Sequence, residues 1–466
     1  MDLAGKRLGV AVLARPTFDV PFAEDKASAA LAALDATEAE IVGPRELLFD
    51  QEATEAAIAT LKDSAIDGLV IVQATFTDAA MTLQLAEAVS VPLVLWAFPE
   101  PRTGGRLRLN SFCGINLAGH TLLKAGIRYG YLFGEPSEID LSSMLGEAFG
   151  GMPMEPAGAD AFIIDPLGGE RISEALGQSK IGLIGEHPAG FETCAFDEVK
   201  LAGLTGTKVD RGGLDGLFEA AKAVDPAEVS TLKAEVEAAL AGADDMEAEP
   251  LDKCLRSFAA LKSRSGEDGI DAYAVRCWPE FFTDYGCAAC GAMAMLGEDG
   301  TPCACEADVF GAVTLLMLRS VANDPPFLAD LVDIDAADDS VVFWHCGLAP
   351  ISLADPTVAP AATIHSNRRK PLLNEFPLKP GRITVARLSQ SKGEVRMVLG
   401  LGDMLTRPNS FSGTSGVARM DRSAGDVSDA IMGEGLEHHY AIAYGDHTAS
   451  LAGWAAKAGV PVVRLA

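Results

Sequence analysis

Asp67-Gly-Leu-Val-Ile-Val-Gln73, a helical stretch opened by Asp78 and running through Ala88, and Val91-Pro-Leu-Val-Leu-Trp96 decide the fold class. Each apolar run is long enough for one buried strand and too short for a helix with a core-facing stripe. Asp78 has the chemistry of a helix N-cap. Strand, helix and strand at this spacing predict parallel strands with helices covering both faces. Upstream, Arg7-Leu-Gly-Val-Ala-Val-Leu-Ala14 reads as an earlier strand of the same sheet and Lys26 to Leu34 as its helix. Downstream, the Gly-rich segment Thr103 to Gly114 follows a strand end, the usual place for a functional loop in such folds.

The pattern restarts at Ser179-Lys-Ile-Gly-Leu-Ile-Gly185, after a Gly- and Pro-containing connection at residues 150–170. A helix over Lys253 to Lys262, a strand at Ala272 to Val275 and a helix over Asp308 to Ser320 continue this second unit. From about residue 340 the texture turns β-rich, with Ser340 to Trp344, then Gly381 to Leu388 and Glu394 to Gly400 around a Gln-Ser-Lys-Gly hairpin turn. Tyr440 to Tyr444, a helix from His447 to Ala458 and Val460 to Arg464 close the chain. The expectation is an α/β protein of two Rossmann-like α/β/α domains, residues 1–170 and 171–335, and a smaller β-rich C-terminal domain, residues 336–466.

A length of 466 residues suits several cores, and 48% hydrophobic with 22% charged residues is a globular composition. With 37 Lys and Arg against 66 Asp and Glu, a net charge of -29 repels phosphate backbones, so nucleic acid is excluded as a partner. The most basic run, Arg368-Arg369-Lys370, reads as a solvated loop, with an anion or substrate contact as the alternative. No uninterrupted apolar 20-mer for a membrane span and no signal-peptide pattern point to a cytoplasmic protein. Nine cysteines, an odd number, read as reduced thiols.

Three segments carry chemistry. Cys303-Ala-Cys305-Glu306-Ala-Asp308 leads into an apolar helix, Phe327-Leu-Ala-Asp330 sets an acid among apolar neighbours, and His438-His439-Tyr440 opens the strand Tyr440 to Tyr444. Carboxylates and an imidazole are ligand types for a divalent metal. Asp308 is the natural cap of the helix that follows, which frees Glu306 to face a pocket. Asp330 alone could equally be surface-facing, and His438 should point away from His439 if the segment is extended. A rival site pairs Cys287-x-x-Cys290 with Cys303-x-Cys305, although buried packing explains those thiols as well. Arg15 after the first strand, Trp278 in Arg276-Cys-Trp-Pro-Glu280 and His345 in Trp344-His-Cys-Gly347 are candidate substrate contacts, and Glu280 is a further acid.

Taken together, Ala304-Cys-Glu306-Ala-Asp-Val-Phe-Gly-Ala-Val-Thr-Leu-Leu-Met317, Asp330 in Phe-Leu-Ala-Asp, and His439 ahead of Ala-Gly-Val-Pro-Val-Val resemble the L-fucose isomerase family and its wider L-arabinose isomerase relatives. The specific likeness lies in about residues 275–350 and 405–464, with a first half that has diverged. The resemblance implies Glu306, Asp330 and His439 as metal ligands, Mn²⁺ or another divalent metal as cofactor, a carbohydrate substrate and a homo-oligomer. Aldose–ketose isomerisation through an enediol needs a base and a cation beside two sugar oxygens, which this set supplies. Glu306 and Asp330 can each act as base, Glu306 being the first choice. An epimerase, aldolase or decarboxylase using the same enediolate chemistry is the alternative. A sugar-binding protein is the second.

Overall fold

The structure, a computed structural model, describes residues 1–151 and 162–466. Within the connection expected at residues 150–170, residues 152–161 lie outside the described residues. The first sheet is six-stranded and parallel throughout, with Arg7–Leu13, Gly68–Gln73 and Leu93–Ala97 adjacent at its centre. These are the apolar runs read as strands, and every residue of Gly68–Gln73 is buried. A second parallel sheet has four strands, Cys303–Ala304, Ala272–Val275, Lys180–Ile184 and Lys208–Gly212 in spatial order.

The third sheet has nine strands among the described residues. Six of them are Thr414–Met420, Ser340–His345, Phe327–Asp335, His439–Tyr444, Gly381–Ser389 and Arg396–Met404. Each pairs antiparallel with the next, and Arg396–Met404 pairs back onto Thr414–Met420, closing a barrel. Closure removes the exposed edges that an open sheet of this length would present. Two α/β units and a β-rich sheet are thus the architecture.

The sheets divide the chain differently from the expected boundaries in two places. Residue 170 lies within the helix Pro166–Gly177, and Phe327–Asp335, assigned from sequence to the second unit, is a strand of the barrel. The strand goes there because its partners are Ser340–His345 and His439–Tyr444, which an apolar run cannot announce by itself. The barrel also joins the two α/β cores. Leu328, Ala386 and Ala441 pack with the second unit, whereas Phe327, Ala329, Leu331, Tyr440 and Ile442 pack with the first. That is the period of two expected when both faces of a strand are covered. No helix among the described residues is long and apolar enough to cross a membrane.

Candidate active site

Barrel register brings the first two site residues together. Asp330 and His439 are direct partners across adjacent antiparallel strands, so their side chains leave the sheet on the same face. Leu328 and Ala441 share that face and turn towards the second unit, which delivers Glu306 from the opposite side. Glu306 follows the short strand Cys303–Ala304 and has a left-handed backbone, φ 58°, as does Ala307 at 57°. Two successive left-handed residues without glycine cost energy. They turn the carboxylate out of the second sheet into the space above the barrel face.

The distances define a compact polar cluster. His439 Nε2 is 3.5 Å from Asp330 Oδ1 and 3.8 Å from Glu306 Oε2. His438 Nε2 is 3.1 Å from the same Glu306 oxygen, and Trp278 Nε1 donates to Glu306 Oε1 at 3.0 Å. All are largely buried. His438 therefore does not turn away as expected: it precedes the strand His439–Tyr444 and escapes its alternation, and the two rings lie 4.0 Å apart. Two overlapping groups have ligand atoms within 4.8 Å of one another, Asp330 with His438 and His439, and Cys194 with Glu306 and His439.

Asp308 was read as a cap, and its Oδ1 does accept from Gly311 N at 2.8 Å. It also has two tasks the sequence did not reveal. The buried Arg387 guanidinium grips both carboxylate oxygens, and Asp308 Oδ2 lies 3.0 Å from His439 Nδ1. Burial opposes the ionised form of Asp308, but Arg387 and His439 outweigh it and hold the carboxyl well below its usual range. An ionised carboxylate only accepts, so His439 Nδ1 carries the proton and Nε2 presents a lone pair. Burial and the neighbouring His438 lower the His439 pKa, which keeps that ring neutral.

The cluster fits a cation on these grounds. An unprotonated nitrogen faces two carboxylate oxygens with no proton of its own to place between them. Asp330 Oδ1 is buried and has no hydrogen-bond partner. Burial raises the Asp330 pKa. Burial also pushes Glu306 up, but the hydrogen bond and charge of His438, with the Trp278 hydrogen bond, leave it below its usual value. Nitrogen and carboxylate oxygen donors suit Mn²⁺, Fe²⁺, Co²⁺ or Zn²⁺, and a carboxylate holding a histidine from behind is the usual support for a metal-ligating imidazole.

A cavity of about 90 Å³ opens beside the cluster, lined by Arg15, Trp278, Glu306, Asp330, His345, Arg368, His438 and His439 among others. All three candidate substrate contacts reach it. Arg15 comes from the end of the first sheet's strand Arg7–Leu13, Trp278 follows Ala272–Val275, and His345 ends Ser340–His345. His345 Nδ1 accepts from Cys346 N at 2.8 Å, and its ring stacks 6.3 Å from His439. Glu280 is instead ion-paired to Arg276 at 2.7 Å and does not line the cavity. Arg368, in the run read as a solvated loop with an anion or substrate contact as the alternative, is half-buried in the cavity wall. The rival thiolate site does not form among the described residues: Cys287, Cys290, Cys303 and Cys305 are buried free thiols, and Cys305 Sγ instead meets Cys277 Sγ at 2.8 Å.

Comparison with known proteins identifies the family. Residues 9–147 match the fucose/sulfoquinovose isomerase N-terminal domain and residues 374–465 the L-fucose isomerase C-terminal domain. The first half, read as diverged, thus retains the family pattern. A sulfoquinovose isomerase from Priestia aryabhattai is 30% identical over 94% of both chains, and one from Alkalicoccus urumqiensis is 31% identical over 91% of both. A solved carbohydrate transporter from Acidothermus cellulolyticus in complex with myo-inositol overlaps at a TM-score of only 0.21 and 13% identity, covering 69% of this chain and 88% of that one. The chain belongs to the fucose/sulfoquinovose isomerase family as a divergent member, a metal-binding enzyme of the sugar-isomerase type.

Proposed function

We propose that this protein is a divalent-metal-dependent aldose–ketose isomerase whose substrate is sulfoquinovose or a closely similar acid-bearing hexose, acting in the cytoplasm as a homo-oligomer. The observation that supports the reading is that His439 Nε2, in a buried cluster, lies 3.5 Å from Asp330 Oδ1 and 3.8 Å from Glu306 Oε2. The substrate comes from the relatives, which are named sulfoquinovose isomerases and align over nearly their whole length. A divalent ion, Mn²⁺ by the family resemblance, would be held by Glu306, Asp330 and His439 and would stabilise the charge that grows on two neighbouring sugar oxygens.

The chain's own groups divide the remaining work. Asp330, with its unpartnered oxygen, is the better base for the proton on the carbon next to the carbonyl, in place of the sequence-based preference for Glu306. Glu306 accepts hydrogen bonds at both oxygens, from Trp278 and His438, which makes it an anchor and a weaker base. Burial lowers the His438 pKa, but the hydrogen bond and charge of Glu306 reverse this and raise it, so His438 can keep a proton to deliver to a sugar oxygen. Phe18, Phe76, Leu107 and Trp344 line the cavity and exclude water from the reacting carbons.

The test is to incubate the Mn²⁺-loaded protein with sulfoquinovose, glucose 6-phosphate, glucuronate, L-fucose and L-arabinose in deuterated water, reading products by NMR and mass. A ketose formed only with metal present supports the assignment. Carbon–carbon cleavage or CO₂ release with no ketose from any sugar moves the protein to the aldolase or decarboxylase class.

A further inference from the structure

The cavity holds two cations whose positions the metal chemistry does not explain. Arg15 Cζ lies 5.4 Å from the centre of the Trp278 ring, and Arg368 Cζ lies 4.9 Å from it. Arg368 also sits 5.2 Å from the Phe282 ring and Arg15 5.5 Å from that of Phe76. Arg15 pairs with Asp78 at 2.8 Å. Arg368 has no carboxylate within ion-pair distance among the described residues, in a chain with 66 acidic side chains against 37 Lys and Arg. Leaving a half-buried guanidinium unpaired beside a second one costs energy that a protein of this composition could readily relieve.

The loop that presents Arg368 is built to hold it. His365 Nδ1 accepts from Asn367 N at 3.2 Å and Arg368 N at 3.3 Å, while Arg369 N donates to His365 O at 2.7 Å. Arg106 Nε donates to Asn367 Oδ1 at 2.9 Å and its Nη2 to Thr17 O at 2.7 Å, lacing this loop to the one that follows Arg15. With its oxygen engaged, Asn367 keeps its amide Nδ2 as a donor in the cavity wall. Trp278 spans the distance to the chemistry. Its indole N–H binds Glu306, while its ring carries the arginines.

We propose that Arg368 and Arg15, with the Asn367 amide beside them, form a subsite for the anionic group at the end of the sugar remote from the carbonyl. Guanidinium forks match a three-oxygen anion such as a sulfonate. The inference rests on the isomerase reading for its direction but not for its test, because binding can be measured without turnover. A phosphate or a carboxylate has the same kind of chemistry, and the ligand series separates them.

Two experiments decide it. In the first, calorimetry follows sulfoquinovose, glucose 6-phosphate, glucuronate and glucose binding to the full-length Asp330→Asn protein and to the same protein carrying Arg368→Gln. The expected result is tightest binding of the sulfonate, weakened about 10–100-fold by Arg368→Gln and partly restored by Arg368→Lys, with glucose affected less than about threefold. In the second, wild-type, Arg368→Gln and Arg369→Gln enzymes are compared in steady state. Arg368→Gln should raise KM for the acid-bearing sugar with a smaller change in kcat, and substitution of the exposed Arg369 by glutamine should match wild type. Equal weakening of charged and neutral sugars, or no preference of the parent protein for any charged sugar, overturns the subsite. Binding as predicted with no ketose from wild type leaves the subsite standing and refutes the isomerase reading instead.

Discussion

Replacing Asp308 by asparagine removes one charge from an ion pair whose two side chains are fully buried. Breaking such a pair from one side costs about 3–5 kcal/mol, because the surviving charge stays buried. Here Arg387 retains Glu437 Oε2 at 3.9 Å from its Nε, and asparagine keeps an oxygen for the Gly311 cap, so the lower end, about 3 kcal/mol, is expected. A second effect falls on His439. The introduced amide can donate or accept, so His439 Nδ1 is no longer obliged to carry the proton and its Nε2 no longer presents a fixed lone pair. Loss of such a supporting carboxylate typically weakens metal binding about 10–100-fold. Urea unfolding of metal-free protein measures the first effect and Mn²⁺ calorimetry the second. A stability loss under about 1 kcal/mol together with metal affinity within about twofold of wild type would refute the reasoning.

Other perturbations should read out separate parts of the account. Trp278→Phe keeps a ring but removes the N–H on Glu306, and kcat/KM should fall about 10–100-fold, the usual worth of a hydrogen bond to a charged group, with the fold unchanged by circular dichroism. Glu100 is pushed up from 4.5 to about 7, chiefly by burial against the pull of three backbone N–H groups. Its folded pKa exceeds its unfolded one, so the native state binds the extra proton: the contribution is full below pH 4.5 and is lost as pH rises towards 7. Unfolding free energy should drop by on the order of 3 kcal/mol across that window, and Glu100→Gln should flatten the slope. Sedimentation at micromolar concentration should show a closed multimer; a monomer with full turnover would contradict the homo-oligomer.

The parallel sheets were legible because short apolar runs alternating with helices have one common solution. The hairpin Gly381–Ser389 with Arg396–Met404 was equally legible from its turn. Barrel closure was not, since pairing of Arg396–Met404 with Thr414–Met420 is a long-range register that no local pattern encodes. At the site, residue types and the family likeness pointed to Glu306, Asp330 and His439, which the fold brings within 3.8 Å contacts through His439. Arg387 was missed because an arginine in Gly381–Ser389 reads as a solvent-facing strand residue, whereas it is fully buried against Asp308. His438 was misjudged because strand alternation was extended one residue too far. Arg368 was read first as part of a solvated basic run, with an anion or substrate contact as the alternative, and its place in the cavity wall and its ring contacts favour that alternative.

The most direct test of the metal centre is anomalous diffraction from crystals of the assembled protein soaked in Mn²⁺. One peak per chain is expected, with Glu306, Asp330 and His439 as ligands at about 2.0–2.3 Å. A peak on the cysteines, or these three side chains more than about 8 Å apart around an ion bound elsewhere, would contradict the account.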